Sequence, residues 1–248
     1  MLLLIDVGNT RIKWAAAEKN AAAGNWITHD ALLHTDVQQL QTQWSALTVE
    51  RVLISNVAGS RVAQLLEQYL LASGIAAAAI NWFQSRAACA GVINGYREPA
   101  RLGSDRFASL IAAHHQFPAS DLLVVTAGTA TTIDALDAEG HFKGGMILPG
   151  LATMAQSLTQ HAAQLPAVNE VRMEKLFADN TQKAMQSGCI SAQIGAIQRA
   201  QHALPEALCI LSGGAAAYIA PQMQGPFELM NNLVLMGLHI VALSEPAI

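Results

Sequence analysis

Short apolar runs alternate with longer segments whose apolar positions recur at helical spacing. The runs Leu2–Val7 and Arg11–Ala17 predict a hairpin of two strands, with a third strand near Trp26–Leu33. Arg51–Ser55 predicts a short buried strand. Apolar residues three and four positions apart predict helices over Val37–Leu47, Arg61–Ala72, Asp105–Gln116, Leu151–His161, Thr181–Ala203 and Asn232–Leu243.

The same order of elements starts again about halfway along the chain. The segment Leu122–Asp134 has a strand, a turn at Gly128 and a second strand. The segment Leu2–Trp14 has the same pattern around Gly8, 120 residues earlier. A second repetition follows, since Val52–Ala58 is similar to Cys209–Ala215: each is a strand, a turn of small residues and the start of a helix. The repetition predicts two related α/β domains, residues 1–118 and 119–248.

Composition excludes several classes of protein. The chain has 248 residues, 14 basic and 18 acidic, and no basic tract, which disfavours a nucleic-acid partner. Its cysteines, Cys89, Cys189 and Cys209, lack paired spacing and are expected to be reduced and buried. The apolar run Met1–Ile5 is interrupted by Asp6, so neither a signal peptide nor a membrane span is predicted, and we expect a cytoplasmic location.

The first glycine turn has the chemistry of a phosphate-binding loop. A glycine lets the backbone approach a ligand closely, and exposed N–H groups at such a turn attract anions. Strand alternation places Arg11 and Lys13 on one face, opposite Ile12 and Trp14. Asp6 would repel a phosphate directly, so its useful role is to hold magnesium. A plain hairpin turn is the alternative, and the second copy at Gly128 argues against it.

A second polar cluster lies between Asn94 and Arg106, in a loop that leads into a helix. Phosphoryl transfer to an alcohol needs a group that accepts the hydroxyl proton, and Asp105 suits that role. Arg106 could bind an anionic group of the substrate, and Tyr96 offers a flat wall and a hydroxyl. The alternative is simple helix capping by Ser104 and Asp105.

Other nucleotide-binding motifs are missing from the sequence. Neither G-x-x-x-x-G-K-[ST] nor a G-x-G-x-x-G after a strand occurs, which argues against a P-loop kinase and a Rossmann dehydrogenase. Duplicated hairpins with acidic and threonine-rich turns point instead to the actin, sugar-kinase and heat-shock-protein superfamily.

The motifs, taken in order, resemble those of the type III pantothenate kinase family along essentially the whole chain. They are Asp6–Thr10, Tyr96 with Gly103–Arg106, Gly128–Asp134, Gly144–Gly150, Asn180-Thr181 with Ser187-Gly188, Ser212–Gly214 and Asn232–Leu238. The resemblance implies two duplicated ribonuclease-H-like, actin-like ATPase domains with mixed sheets flanked by helices and an ATP cleft between them. It also implies ATP-dependent phosphorylation of pantothenate, the first step toward coenzyme A.

The resemblance assigns roles to individual residues. Asp105 takes the proton from the pantothenate hydroxyl, and Asp6 holds magnesium directly or through water. The first domain carries the first phosphate loop and the substrate motif, and the second carries the second phosphate loop and the adenosine motif. The family forms homodimers, so Thr181 is expected to complete the partner's site. ATP contacts Asp6, Val7, Gly8, Asn9, Thr10, Arg11, Ile12, Lys13 and Thr129, while pantothenate lies among Tyr96, Gly103, Ser104, Asp105, Arg106 and Thr181.

One position departs from the family pattern. Relatives often carry an aspartate, associated with bound potassium or ammonium, where this chain has Thr126. A hydroxyl is a poorer cation ligand than a carboxylate, so we expect a different or weaker dependence on the monovalent cation. Two rival functions stay open: a sugar or acetate kinase, and a nucleotide-binding regulatory or accessory protein without kinase activity.

Overall fold

The computed structural model describes residues 1–161, 165–166 and 172–245. Contacts divide the chain into two compact units: Met1–Phe117 with the residues from Leu233 onward, and Pro118–Asn232. The last helix is therefore grouped with the N-terminal half, whereas the sequence repetition assigns it to residues 119–248. Its residues are apolar on every side, and such a helix is stable only when it is surrounded by protein.

The first unit is built on a mixed sheet of order β3-β2-β1-β4-β5. Neighbours β1, β2 and β3 are antiparallel, while β4 runs parallel to β1 and β5 parallel to β4. A short hairpin, β6–β7, follows. The strands are β1 (Leu2–Val7), β2 (Arg11–Ala17), β3 (Thr28–Leu33), β4 (Arg51–Asn56), β5 (Ile80–Phe83), β6 (Ala88–Cys89) and β7 (Val92–Asn94).

Helices cover the sheet of the first unit and bury its apolar residues. They are α1 (Gln39–Ser45), α2 (Ser60–Ala72), α3 (Ser104–Gln116) and α7 (Leu233–Ser244), with 3-10 turns at His34–Asp36, Ala77–Ala79 and Pro99–Arg101. Inward-facing residues of β1, β2 and β4 pack with α1 and α2 around Trp14 and Trp44, whose rings meet edge to face at 6.3 Å. Helix α7 lies against α3 at Gly237, where a Cβ atom would stand 1.9 Å from the Ala108 carbonyl oxygen.

The second unit repeats this plan. Its strands follow the order β12-β11-β8-β9-β10, so β8, β9, β10, β11 and β12 correspond in turn to β1, β2, β3, β4 and β5. The directions also match, because β8–β9–β10 are antiparallel neighbours and β11 runs parallel to β8 and β12. The strands are β8 (Leu122–Ala127), β9 (Ala130–Leu136), β10 (His141–Pro149), β11 (Leu208–Ser212) and β12 (Phe227–Leu229).

Three helices complete the second unit: α4 (Leu151–His161), α5 (Thr181–Ala203) and α6 (Ala216–Ile219), with a 3-10 turn at Ala220–Gln222. Helices α4 and α5 coincide with the ranges predicted from apolar spacing, and both hairpins are confirmed. The sequence did not predict β5, the hairpin β6–β7 or β12, because these strands are only two to four residues long. Among the described residues, no helix is long and apolar enough to cross a membrane.

Candidate functional site

Asp6 is the penultimate residue of the buried strand β1 and lies between two polar neighbours. Its partner across β2 is Lys13, and its partner across β4 is Ser55. The Asp6 side chain is only 8% exposed, because β1 is the central strand of the sheet. A carboxylate, an ammonium group and a hydroxyl thus lie side by side in a largely apolar layer.

The surroundings of Asp6 disfavour its charged form. Burial raises the pKa of Asp6 to about 7, Lys13 opposes this rise, and the negative charge of Asp105 adds to it. The interaction with Asp105 shows that the fold brings together two carboxylates that are 99 positions apart in the sequence. Carboxylate oxygens such as those of buried Asp6 and half-buried Asp105 are ligands that suit a hard divalent cation.

Asp105 lies in the first turn of α3, where its negative charge is favourable to the helix dipole. Its Oδ1 accepts a hydrogen bond of 2.8 Å from the Arg106 backbone N–H. Burial raises the pKa of Asp105, while this hydrogen bond and the charge of Arg106 oppose the rise. A Cβ atom at Gly103 would stand 2.6 Å from the same Oδ1, so the missing side chain of Gly103 makes room for the carboxylate.

Ser55 connects the start of α3 to the sheet. The Ser55 hydroxyl lies 2.8 Å from the Ser104 hydroxyl, and both side chains are buried. Ser55 is also the β-sheet neighbour of Asp6, and Ser104 precedes Asp105 in the sequence, so this hydrogen bond lies between the strand pair of Asp6 and the helix of Asp105. The sequence pattern did not identify Ser55 as part of the site, although Ser55 and Ser212 occupy the same position in the two repeated segments.

Arg106 and Tyr96 form a second polar group beside Asp105. The Arg106 Nη1 donates a 2.9 Å hydrogen bond to the Tyr96 hydroxyl, and its guanidinium carbon lies 5.7 Å from the ring centroid. Buried Asn94 shapes the loop, since its Oδ1 accepts from the Tyr96 N–H and its Nδ2 donates to the Pro99 carbonyl. Sequence reasoning found Tyr96 and Arg106 but assigned no role to Asn94.

The first glycine turn joins β1 to β2. The Gly8 N–H donates to the Arg11 carbonyl at 3.0 Å, which closes the turn. Ile12 and Trp14 are buried, while Arg11 is exposed and Lys13 half-buried, so the predicted alternation of the two faces is confirmed. Asn9 and Thr10 are exposed at the tip, as phosphate ligands need to be.

Backbone segments pack closely against the second glycine turn, in the second unit. Its Gly128 N–H donates to the Ala130 carbonyl at 3.0 Å, two positions ahead, whereas Gly8 donates to Arg11, three positions ahead, so the second turn is one residue shorter. A Cβ atom at Gly150 would stand 2.0 Å from the Gly128 carbonyl oxygen, and one at Gly213 would stand 2.3 Å from that of Ala127. Gly150 and Gly213 must therefore be glycines for their segments to pack this closely against the turn.

The register of the two hairpins aligns their polar residues. Asp6 pairs with Lys13 in the first hairpin, and Thr126 pairs with Thr132 at the corresponding place in the second. Ser55 and Ser212 are the matching neighbours on the parallel strand. The two units therefore share a backbone pattern, but the aspartate and lysine of the first are replaced by two threonines in the second.

The structure brings together most of the site residues predicted for the first half. Asp6, Lys13, Tyr96, Ser104, Asp105 and Arg106 all belong to the first unit, and the contacts above connect them. Thr129 is exposed on the second glycine turn, and Thr181 is the exposed first residue of α5, after the helix cap Asn180. Both threonines belong to the second unit.

Comparison with known proteins identifies the relatives of this chain. A family model described as type III pantothenate kinase matches residues 2–203. A type III pantothenate kinase from Herminiimonas arsenicoxydans is 48% identical over 254 residues, covering 98% of this chain and 98% of that protein.

Two solved structures are similar in fold. A candidate 2-dehydro-3-deoxygalactonokinase from Sinorhizobium meliloti has a TM-score of 0.62 at 13% identity, covering 98% of this chain and 99% of its own. A candidate Baf family transcriptional activator from Campylobacter jejuni has a TM-score of 0.61 at 20% identity, covering 96% of both chains. At such identities the likeness shows the fold alone, and the predicted actin-like class is confirmed.

Proposed function

Because the chain belongs to the type III pantothenate kinase family, we propose that it transfers the terminal phosphoryl group of ATP to the primary hydroxyl of pantothenate. The products are 4′-phosphopantothenate and ADP, and the reaction is the first step of coenzyme A biosynthesis. The observation that carries this proposal for the site itself is the half-buried Asp105 carboxylate beside Asp6, Ser104 and Arg106.

Asp105 is assigned the role of proton acceptor. As the pantothenate oxygen attacks the γ-phosphorus, its proton passes to the Asp105 carboxylate, and the bond to the oxygen that bridges β- and γ-phosphorus breaks to release ADP. A raised pKa makes Asp105 a stronger base than an ordinary aspartate. The bond from the Arg106 N–H fixes one carboxylate oxygen and thereby the orientation of the group.

Pantothenate itself carries a carboxylate, and Arg106 is the cation that we assign to it. The guanidinium is already held by the Tyr96 hydroxyl, so it loses little freedom when the substrate binds. Gly103 and Ser104 complete this side of the substrate site. Because Arg106 is positively charged, we expect the site to select an anionic alcohol over a neutral sugar.

The phosphates of ATP are assigned to the two glycine turns, residues 6–13 in the first and Thr129 in the second. The half-buried Lys13 ammonium group supplies positive charge beside the first turn. Asp6 is assigned to magnesium, directly or through a bound water, and the paired carboxylates fit such an ion. Magnesium, when bound, neutralises charge on the phosphates.

We expect this chain to differ from its family in how its activity depends on a monovalent cation. Thr126 and Thr132 offer hydroxyls where a carboxylate would bind potassium or ammonium more strongly. We expect weak activation by potassium, and stronger activation in Thr126→Asp. Steep activation of the natural enzyme that neither Thr126→Asp nor Thr126→Val changes would contradict this assignment.

A homodimer, with Thr181 completing the partner's substrate site, is also proposed from the family. The described part of the second unit supplies a surface to test: exposed Ala184, Gly188 and Ala192 form one face of α5, and the space where a Gly188 side chain would be is open. We expect Ala192→Glu to convert a dimer to a monomer in sedimentation velocity, with Ala76→Glu on the first unit as control. An unchanged dimer in Ala192→Glu would place the interface elsewhere.

A cytoplasmic location is proposed as well. All three cysteines are free and buried, which suits a compartment where thiols stay reduced.

The test of the function is ADP release with ATP, magnesium and pantothenate. We expect turnover that requires pantothenate and falls at least about 10³-fold in Asp105→Asn, with the same melting temperature. Asp30→Asn, at an exposed position of β3, is the matched control and should retain full activity. ATP binding without pantothenate-dependent turnover in the natural protein would favour the regulatory function instead.

A further inference from the structure

His34 contacts the backbone of the first glycine turn. Its Nε2 lies 2.8 Å from the Gly8 carbonyl oxygen, and the contact is partly buried. A carbonyl can only accept a hydrogen bond, so Nε2 carries the hydrogen and donates it. His34 is the residue immediately after β3, the third strand of the first sheet.

The orientation of that carbonyl matters for any anion at the turn. Each peptide unit of a tight turn has an N–H that attracts a phosphate and a carbonyl oxygen that repels it. The turn binds an anion only while its carbonyls point elsewhere. The closing bond of the turn uses the Gly8 N–H, whereas the Gly8 carbonyl accepts the bond from His34.

The second unit has a matching contact. The Thr129 carbonyl of the second glycine turn accepts hydrogen bonds from the Gly150 N–H at 3.0 Å and from the Thr153 hydroxyl at 2.8 Å. Gly150 directly follows β10, the strand that corresponds to β3. In both units, the segment after the third strand therefore holds a carbonyl of the glycine turn, with an imidazole in one and a hydroxyl in the other.

We propose that His34 and Thr153 are positioning residues for the two phosphate turns. Each holds a turn carbonyl and so directs the neighbouring N–H groups toward the phosphates of ATP. This inference rests on the proposed function insofar as the turns bind ATP. It does not depend on the identity of the phosphoryl acceptor.

Matched substitutions distinguish the effect of losing the hydrogen-bond donor from the effect of changing the rest of the side chain. His34→Leu removes the donor, whereas His34→Gln retains an N–H at nearly the same place. Thr153→Val removes the hydroxyl at constant shape, and Thr153→Ser retains it. His29→Leu, at an exposed position of β3, is the control for loss of a histidine from this region.

The expected result is a selective effect on ATP. KM for ATP should rise about 5- to 10-fold in His34→Leu and in Thr153→Val, as expected for the loss of one hydrogen bond. KM for pantothenate should stay within about twofold, and His34→Gln and Thr153→Ser should recover most of the affinity. Since the two residues contact different turns, the double variant should multiply the two effects.

Three outcomes overturn the proposal: KM for ATP unchanged in His34→Leu and Thr153→Val, both KM values rising equally, or no recovery in His34→Gln and Thr153→Ser. Calorimetric titration with MgATP in the absence of pantothenate gives a second reading that does not require turnover. If the natural protein binds MgATP but does not phosphorylate pantothenate, the proposed function fails while a weaker titration in His34→Leu still supports the positioning role. If the natural protein turns over pantothenate and His34→Leu binds MgATP normally, only the positioning role fails.

Discussion

The hydroxyl of Ser55 lies 2.8 Å from the hydroxyl of Ser104, although the residues are 49 positions apart. The contact joins the end of β4, beside Asp6, to the first turn of α3, beside Asp105. One buried hydrogen bond thus connects α3, which carries Asp105, to β4, the neighbour of the strand that carries Asp6. We expect the relative position of the two carboxylates to depend on it.

Removal of this bond should affect both stability and catalysis. Ser55→Ala leaves the buried Ser104 hydroxyl without its partner, which we expect to cost about 1–2 kcal/mol in the free energy of unfolding. We also expect kcat to fall about 3- to 10-fold, because the start of α3, which carries Asp105, loses the hydrogen bond that holds it to β4. Urea titration and steady-state kinetics measure the two effects.

The double variant Ser55→Ala/Ser104→Ala is the control. Replacement of both hydroxyls removes the unsatisfied group, so stability should return toward the natural value while activity stays low. If Ser55→Ala changes neither quantity, the bond does not position the site.

Gly103→Ala should displace the Asp105 carboxylate without disturbing the helix. The added Cβ would stand 2.6 Å from Asp105 Oδ1, so the carboxylate must move. We expect kcat to fall about 10²-fold, because small displacements of a catalytic group have large effects. Steady-state kinetics and circular dichroism show whether activity is lost with the fold intact.

A double-mutant cycle tests the cause. If Gly103→Ala acts through the carboxylate, then Gly103→Ala/Asp105→Asn should be no less active than Asp105→Asn alone. Independent, multiplied losses would show that Gly103 acts by another route.

Asp6→Asn should stabilise the ligand-free protein in a pH-dependent way. The pKa of Asp6 is raised from 3.8 to about 7, so the natural protein must ionise a buried carboxyl group as the pH rises. Below about pH 4 the group is protonated in both the folded and the unfolded state and contributes nothing. The free energy of unfolding of Asp6→Asn should exceed that of the natural protein by an amount that grows between about pH 4 and 7. Above pH 7 the difference should stay constant, at no more than about 4 kcal/mol.

Thermal unfolding from pH 4 to 9 measures this difference. A constant difference over the whole range would show that the charge of Asp6 is not its origin. Saturating MgATP should stabilise the natural protein but not Asp6→Asn, because the variant lacks the carboxylate that we assign to magnesium.

Gly237→Ala should be strongly destabilising. Its Cβ would stand 1.9 Å from the Ala108 carbonyl oxygen, so α7 and α3 could not keep their spacing. We expect a loss of about 2–4 kcal/mol in the free energy of unfolding, since the clash is with backbone that cannot rotate away.

Gly195→Ala in α5 is the matched control for that measurement. Among the described residues, no atom beyond the adjacent helix backbone lies within 4 Å of the added Cβ, and alanine has the higher helix propensity. Its stability should be unchanged or up to about 1 kcal/mol higher. Equal stability of the two variants would contradict the close packing of α7 on α3.

The sequence alone determined the repeated pattern of this protein. Strands such as Leu2–Val7 and helices such as Thr181–Ala203 were predicted because local apolar spacing sets them. The glycine turns at Gly8 and Gly128 were recognised from adjacent residues. Tyr96, Asp105 and Arg106 were found because they lie close together in one loop and helix start.

Only the tertiary structure decided which distant segments meet. Ser55 contacts Ser104, His34 contacts Gly8, and Gly150 packs on Gly128, and none of these pairs is close in sequence. Helix α7 packs with the first unit although it follows the second, because its apolar surface and Gly237 fit α3. The raised pKa of Asp6 likewise arises from burial, which no local pattern specifies. Local spacing determines the elements, but long-range packing and hydrogen bonding determine the environment of each functional group.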